Sequence, residues 1–264
     1  MKKITKFLLN VTSVGSILSI ATLNAFQLTV VGQTTPNLDG QPITQPGRVR
    51  FVGPTEDNLS SPNDRRVRPS YAGSTCDERS KIKLTALVPE SLIGRTVSEY
   101  PVFFFYLPKS DFDDTQAEFA LIDEKDNFIY ETPLKIKNSP GVMSVSIPAN
   151  KNVPPLEAGK NYRWSIALIC YPEDRSTDVV ATGIVRRVEL SADILRELDA
   201  ADPPQKTVIY AQNGIWQDAL STLAAVRRAN PNNTDLAADW ESLLDSVKLG
   251  EIAAEPLLPI EPQP

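Results

Sequence analysis

The sequence predicts an α+β protein in which an antiparallel β-sandwich is followed by a C-terminal three-helix segment. Two patterns predict this order. Between residues 71 and 188 the chain consists of short apolar runs separated by Pro, Gly, Asn and Asp, which is typical of an all-β domain. From residue 189 to residue 250 the apolar residues recur at helical spacing instead.

Seven strands are predicted in the first of these regions. The first run has the period of two that is expected of a half-buried strand, because Lys81 and Lys83 alternate with Ile82 and Leu84. Polar residues at 123–127 separate two runs and predict a hairpin loop. The seven runs begin at residues 81, 101, 117, 128, 142, 162 and 179.

The second strand has an unusual apolar run at 103–106, F-F-F-Y. A strand that is apolar on both sides is normally covered on both sides. We therefore expect the C-terminal helices to lie against the outer side of this strand.

A tyrosine motif follows at residues 156–164, where Leu156, Gly159, Tyr162 and Trp164 form the pattern L-x-x-G-x-x-Y-x-W. This pattern resembles the tyrosine corner of immunoglobulin-like sandwiches, in which the tyrosine hydroxyl bonds to the chain a few residues upstream. The resemblance implies that the sandwich is immunoglobulin-like.

Three helices are predicted after residue 189. Ser191 is expected to cap a helix that runs to Leu198 and ends before the two prolines at 203–204. The second helix is predicted within residues 210–233. Thr234 is expected to cap the third helix, which Gly250 ends. The apolar stripes are Trp216, Leu220, Leu223 and Val226 in the second helix, and Leu236, Trp240, Leu243, Leu244 and Val247 in the third.

Part of this helical region is similar to the second half of a tetratricopeptide repeat. The similarity rests on Gly214, Trp216, Ala219 and Leu220, followed by Asn-Pro-Asn at 230–232. Only about one repeat is visible, whereas at least three are normally needed for a stable array. We therefore expect the helices to cover the sandwich rather than to form a peptide-binding superhelix.

The N-terminal residues 1–32 predict a signal peptide, because a basic start is followed by an apolar stretch and then by small residues. Cleavage after Ala25 or Gly32 is expected. The alternative is an uncleaved anchor, although Asn10 and Asn24 disfavour a membrane span. The protein is thus expected to be exported to the periplasm or the extracellular space, with membrane contact only through an uncleaved presequence.

Two further segments are predicted to lie outside the folded core. Residues 33–70 are rich in Pro and polar residues and predict a disordered linker, and residues 251–264 predict a similar tail.

Cys76 and Cys170 are the only cysteines in the chain. In an oxidising compartment they are expected to form a structural disulfide. Two unpaired buried thiols are the alternative, and a redox pair is disfavoured because the chain has no C-x-x-C spacing.

The composition excludes several kinds of chemistry. The 264 residues contain no histidine, which excludes Ser-His-Asp and Cys-His activation and zinc sites of the H-E-x-x-H type. The formal net charge of −6 disfavours a nucleic-acid partner. No phosphate-binding glycine loop is present, so no cofactor is expected.

Three sets of residues are candidate functional groups. Acidic residues at 111–126 are a candidate calcium loop, but solvated loop acids are the preferred interpretation. Ser80 and Lys83 have the spacing of a serine–lysine pair, which arises often by chance. Trp216 and Trp240 are candidate partner-binding residues, although large aromatic residues on such stripes, like Trp164 in the sandwich, are usually in the core. The acidic residues are Asp111, Asp113, Asp114, Glu118, Asp123, Glu124 and Asp126.

The chain from about residue 74 to residue 256 also resembles a family of secreted cyanobacterial proteins that is classed as a domain of unknown function. The segments that carry this resemblance are L-T-A-L-V-P at 84–89, Y-R-W-S-I-A-L-I-C-Y-P at 162–172 and Y-A-Q-N-G-I-W-Q-D-A-L at 210–220. The resemblance implies an exported protein and no catalytic residues.

The predicted function is therefore a non-enzymatic binding or scaffolding role in the bacterial envelope, with another envelope or extracellular protein as the partner. The alternative is a carbohydrate-binding or glycan-processing envelope protein, which the tryptophans and the predicted sandwich would suit.

Overall fold

The structure is a computed structural model that describes residues 49–54, 68–69, 84–107, 115–136, 140–149 and 152–258. All of these residues belong to one compact unit, Thr34–Pro264. The strands, in chain order, are β1 (Arg68–Pro69), β2 (Thr85–Ala86), β3 (Ile93–Thr96), β4 (Val102–Leu107), β5 (Thr115–Ile122), β6 (Phe128–Ile136), β7 (Gly141–Ser146), β8 (Asn161–Ile169) and β9 (Val179–Arg187).

The strands form two sheets that pack face to face. The larger sheet has the order β1-β9-β8-β5-β6, with β3 also paired to β9, and the smaller sheet has the order β2-β4-β7. Phe103 of the smaller sheet lies 5.1 Å from both Phe119 and Trp164 of the larger sheet, measured between ring centroids. The core therefore lies between the two sheets, as the sequence predicts for a sandwich.

The seven predicted strands are confirmed, although residues 81–83 of the first run lie outside the described residues. Two strands, β1 and β3, were not predicted. The pairing is antiparallel except between β3 and β9, where Ile93 is opposite Ile184 in a parallel register. The prediction of a wholly antiparallel sandwich is thus wrong at this edge, because β3 is only four residues long and has no alternating pattern.

The tyrosine motif forms the predicted contact. The hydroxyl of Tyr162 accepts a hydrogen bond from the backbone N–H of Glu157 at 3.0 Å, five residues upstream. This bond favours an immunoglobulin-like topology, which stays a prediction.

The C-terminal segment contains four helices rather than three. The predicted second helix is divided at Asn213 and Gly214, and Gly214 has a φ of +71°. Pro203 and Pro204 end one helix but also begin the next, because proline suits the first turn and Asp202 caps it together with Gln205. The helices are α1 (Ala192–Ala200), α2 (Pro203–Gln212), α3 (Trp216–Ala229) and α4 (Thr234–Asp245).

The predicted helix caps hold in part. Ser191 caps α1 by accepting the N–H of Ile194, as predicted. The cap of α4 is Asn233 rather than Thr234, and its side chain accepts two backbone N–H groups. The helix ends at Asp245 rather than near Gly250, because Lys248 takes the left-handed conformation with a φ of 60° that glycine was expected to supply.

The helices cover the smaller sheet, as the sequence predicts. Along β4, Phe103 and Phe105 belong to the sandwich core, whereas Phe104 and Tyr106 belong to a second core with α3 and α4. The continuous apolar run of this strand is thus explained by two cores, one on each side.

Part of the predicted linker packs on the helices. Val49 is buried, the N–H of Val52 donates to the carbonyl of Ala211 at 3.0 Å, and the N–H of Phe51 donates to the hydroxyl of Ser246. The linker prediction is therefore wrong for residues 49–54, because their apolar side chains pack against the helices, and for residues 68–69, which pair with β9.

Part of the predicted tail also belongs to the fold. The N–H of Val142 donates to the carbonyl of Pro256 at 2.7 Å, and the N–H of Leu258 donates to the carbonyl of Val142 at 2.9 Å. The tail prediction is wrong up to residue 258, because the edge of β7 offers a partner for its backbone.

Candidate functional site

Trp216, a predicted partner-binding residue, lies in the core between the helices and the smaller sheet. Its side chain is fully buried. The indole Nε1–H donates to the carbonyl of Leu87 at 2.8 Å, and the ring packs edge-on against Phe51 at 5.2 Å. The residue joins α3 to the segment after β2 and is not available to a partner at the surface.

Trp240, the other predicted partner-binding residue, is fully buried as well. The guanidinium carbon of Arg227 lies 5.1 Å from the centroid of its ring. The surface role predicted for the two tryptophans is therefore wrong, because the stripes on which they lie face the smaller sheet and each other. Trp164 is likewise a core residue of the sandwich.

Asp218 forms a polar junction between α3 and β3. Its carboxylate accepts hydrogen bonds from the Thr96 hydroxyl at 2.8 Å and from the backbone N–H of Val97 at 3.1 Å. Desolvation raises the pKa of Asp218 to about 6, although these two hydrogen bonds act in the opposite direction. The pKa of Tyr210 is also raised, first by burial and then by the charge of Asp218.

The contacts of this junction hold α3 against β3, which is a structural role. Next to Asp218, the amide of Gln217 is buried and finds no hydrogen-bond partner among the described residues. A side chain at Gly94 would approach that amide to 3.3 Å, so the helix and the strand are in close contact here. Asp218 was not predicted as a functional residue, and only its place in the first turn of a helix could have suggested it.

Replacing Asp218 with asparagine is expected to remove a pH dependence of stability. The pKa is raised in the folded state, so the associated stability is complete below about pH 4 and is lost as the pH rises through about 6. With allowance for partial exposure, the loss is about 2 kcal/mol. Asparagine retains an acceptor for Thr96 and Val97 without the charge.

Urea unfolding at pH 4.5 and pH 7.5 measures this effect. Asp199→Asn, an exposed position on α1, is the matched control. Equal pH slopes for the wild type and Asp218→Asn would show that the carboxylate is not desolvated.

The acidic loop at 123–127 forms the predicted hairpin, and its carboxylates form hydrogen bonds and ion pairs with groups of the protein itself. Asp123 accepts hydrogen bonds from the backbone N–H groups of Lys125 and Asn127 and from the Asn127 side chain, and the Asn127 bonds lower its pKa. Glu124 accepts from Asn161, and Asp126 pairs with Arg163 at 2.8 Å. These acids act as loop acceptors and surface ion pairs.

Other candidate groups are only partly described. Within the described ranges, no three side chains of the metal-ligating types come together. Asp111, Asp113, Asp114 and the Ser80–Lys83 pair lie outside those ranges.

Cys170 follows β8 and is buried in the sandwich core. Cys76 lies outside the described residues, so the disulfide between them stays a prediction.

A second surface of interest is the outer face of the larger sheet, which is the side away from the sandwich core. Along β8 the side chains alternate, with Tyr162, Trp164, Ile166 and Leu168 buried and the residues between them more exposed. Because cross-strand partners lie on one face, the pairing of the strands defines this surface. Three successive rows form it: Phe128, Ile122, Arg163 and Ile184; Glu131, Ala120, Ser165 and Thr182; Pro133, Glu118, Ala167 and Val180.

At its centre the outer face has small side chains that are mostly uncharged, and at its ends it has charged side chains. Ala120, Ser165 and Thr182 make the middle row low and flat. Phe128 is 62% exposed at one end, beside Arg163 with its partner Asp126. At the other end Glu118 pairs with Arg175 at 3.3 Å. The outward side chains of β8 and β9 are partly or fully exposed, whereas Ala120 in the middle row and Ile93, which extends the first row onto β3 opposite Ile184, are buried.

None of the helices in the described ranges combines the length and the apolar character that crossing a membrane requires.

Comparison with known proteins identifies the family of the chain but not its activity. No curated protein matches it. The model of the family described as Domain of Unknown Function (DUF928) matches residues 63–257, which include both sheets and all four helices described above. The chain therefore belongs to this family, Domain of Unknown Function (DUF928).

Proposed function

We propose that the protein is an exported, non-enzymatic binding or scaffolding protein of the bacterial envelope that recognises another protein through the outer face of the larger sheet. The observation that carries this proposal is the difference between the two sheets. Helices cover the smaller sheet, whereas the outward side chains of β8 and β9 stay partly or fully exposed.

The chemistry of the outer face supports a protein partner. Its centre combines Ala120, Ser165 and Thr182 with aliphatic neighbours, and its ends carry ion pairs. Protein interfaces likewise have few charged residues at the centre and a polar rim. Glycan recognition was the alternative, but the three tryptophans that supported it are fully buried.

A binding role also agrees with the side chains that are present. The chain has no histidine, and the carboxylate with the most strongly raised pKa among the described groups, Asp218, is held by backbone and hydroxyl donors in a helix–strand junction. General acid–base catalysis needs such a group to reach a substrate.

The location is proposed from the sequence. The presequence at 1–32, the predicted Cys76–Cys170 disulfide and the resemblance to secreted cyanobacterial proteins support an oxidising compartment outside the cytoplasm. The tetratricopeptide-like residues are proposed to serve packing only. Ala219 is fully buried in the core that α3 shares with the smaller sheet.

Replacing Ser165 with arginine is expected to abolish recovery of the partner. The residue is at the centre of the outer face, where a long charged side chain would hold a flat partner away. The exported protein is tagged and cross-linked in its own cells and then purified. The proteins cross-linked to it are identified by mass spectrometry.

Asn232→Arg, in the exposed turn between α3 and α4, is the matched control and is expected to keep the partner. Thermal melts establish that both variants fold. Recovery of the same partner by Ser165→Arg, or of none by the wild type, would contradict the proposed function.

A further inference from the structure

Residues 255–258, called the tail segment below, extend the smaller sheet beyond β7. The N–H of Val142 donates to the carbonyl of Pro256 at 2.7 Å, and the N–H of Leu258 donates to the carbonyl of Val142 at 2.9 Å. Leu257 and Val142 form a parallel bridge. Because β7 is at the end of the order β2-β4-β7, the tail segment covers an edge that another strand could also pair with.

The two leucines of the tail segment pack in different cores. Leu257 contacts the core between the helices and the smaller sheet, whereas Leu258 contacts the sandwich core. Successive side chains of a strand point to opposite sides, so each leucine has an apolar site on its own side of the sheet. Strand-addition sites for peptides obtain their affinity from main-chain hydrogen bonds and their specificity from such side-chain sites.

Two polar side chains also hold the tail segment. The Nε–H of Arg228 donates to the carbonyl of Leu258 at 3.2 Å, and its Nη2 donates to the Ser144 hydroxyl of β7 at 3.1 Å. At the other end, Glu255 forms a hydrogen bond with the side chain of Tyr106 in β4. Burial raises the pKa of Tyr106, and the charge and hydrogen bond of Glu255 raise it further. The site thus recognises an acid at its first position and a backbone carbonyl at its last.

Gly141, the first residue of β7, allows the tail segment to approach closely. A Cβ atom at this position would lie 2.6 Å from the carbonyl oxygen of Pro256 and 2.8 Å from the side chain of Leu258. Both distances are too short for real contacts, so a side chain here would push the tail segment away. Gly141 therefore offers a way to close the site without changing its apolar positions.

The contacts of the tail segment are limited. Pro256 is exposed, and Leu257 and Leu258 are only partly buried. Segments that bury little apolar surface open locally at a low free-energy cost. Opening of the tail segment would leave the edge of β7 and both leucine sites to another segment of similar chemistry.

We propose that the edge of β7 is a strand-addition site for an extended segment of a partner protein that carries an acid two positions before a pair of aliphatic residues, as E-P-L-L does. The tail segment is the tethered occupant of this site. A tethered segment has an effective concentration on the order of millimolar, so it keeps weak ligands out. The site is separate from the outer face and is additional to the proposed partner binding.

A peptide of residues 253–258, A-A-E-P-L-L with blocked ends, tests exchange in the full chain. The chain is labelled with 15N and the peptide is not. At about millimolar peptide, we expect the amide cross-peaks of Leu257 and Leu258 to move saturably, because the tail segment is released. The cross-peak of Val142 is expected to move less, because the peptide supplies the same acceptor. A scrambled peptide of the same composition is expected to move none of them.

Leu258→Asp in the full chain is expected to detach the tail segment and to strengthen peptide binding at least about tenfold, because the tethered competitor is lost. The peptide is expected to return the Val142 cross-peak towards its wild-type position. Adding Gly141→Ala closes the site and is expected to abolish binding. Adding Gly53→Ala instead is the matched control, since its Cβ would only contact the Phe51 ring at 3.5 Å. Thermal melts establish that the variants fold.

Two results would overturn the strand-addition site: no saturable binding of the peptide to Leu258→Asp, or equal binding after Gly141→Ala is added. Unmoved Leu257 and Leu258 cross-peaks in the wild type, at the peptide concentration given above, would show that the tail segment does not exchange and would overturn the proposal as well. Each of these results would leave the outer-face proposal standing, since partner recovery tests it independently.

Discussion

Trp216→Ala is expected to lower the free energy of unfolding by about 3 to 5 kcal/mol, as truncating a fully buried tryptophan does. The indole fills the junction between α3 and the smaller sheet and donates to the carbonyl of Leu87, so truncation leaves a cavity and an unpaired carbonyl. Urea unfolding followed by far-ultraviolet circular dichroism measures the change.

The matched control for this variant is Phe128→Ala, at a position that is 62% exposed. We expect it to change the free energy by no more than about 0.5 kcal/mol. If Trp216→Ala unfolds the helices while the sheets persist, the cap and the sandwich are separate units, contrary to the shared core described here.

Reduction of the predicted Cys76–Cys170 disulfide is expected to lower stability by on the order of 4 kcal/mol, since the closed loop is long. The expected result is a lower melting temperature in dithiothreitol for the wild type. The double variant Cys76→Ala, Cys170→Ala is expected to melt at a similarly lowered temperature with or without the reductant.

The control for the disulfide is a thiol titration of unreduced protein in denaturant. An unchanged melting temperature together with two free thiols would remove the predicted bridge. Because Cys170 is buried in the sandwich core, the double variant alone would mix a packing effect with the loss of the bond.

Much of the sandwich is predictable because its signals are local. Alternation along β8 and the apolar run of β4 follow directly from which sides of each strand are covered. The four-residue β3 is not predictable in this way. Its place beside β9 depends on partners about ninety residues away, and its sequence I-G-R-T has no period of its own.

The helix ends show the same limit. Proline was expected to end a helix, but at 203–204 it also begins one, because Asp202 and Gln205 form a capping box there. Glycine was expected to end α4, but Lys248 adopts the required left-handed backbone. In both cases the residue type allows more than one role, and tertiary packing selects between them.

The candidate site was predicted least well. The apolar stripes of Trp216 and Trp240 were recognised, but a stripe does not show whether a sheet or a solvent layer lies opposite it. The helix–strand junction of Asp218 arises from a contact between distant segments, since Thr96 is more than a hundred residues upstream. Composition likewise predicts a linker at residues 49–54, although Val49 and Phe51 pack in the core between the helices and the smaller sheet.

The central claim is that recognition occurs on the outer face of the larger sheet, and hydroxyl-radical footprinting of the native protein with and without its recovered partner tests it most directly. Phe128 at the end of that face and Leu195 on α1 are both exposed and reactive. The account predicts that partner binding lowers the oxidation of Phe128 severalfold and leaves Leu195 unchanged. Protection of Leu195 with unaltered oxidation of Phe128 would contradict it.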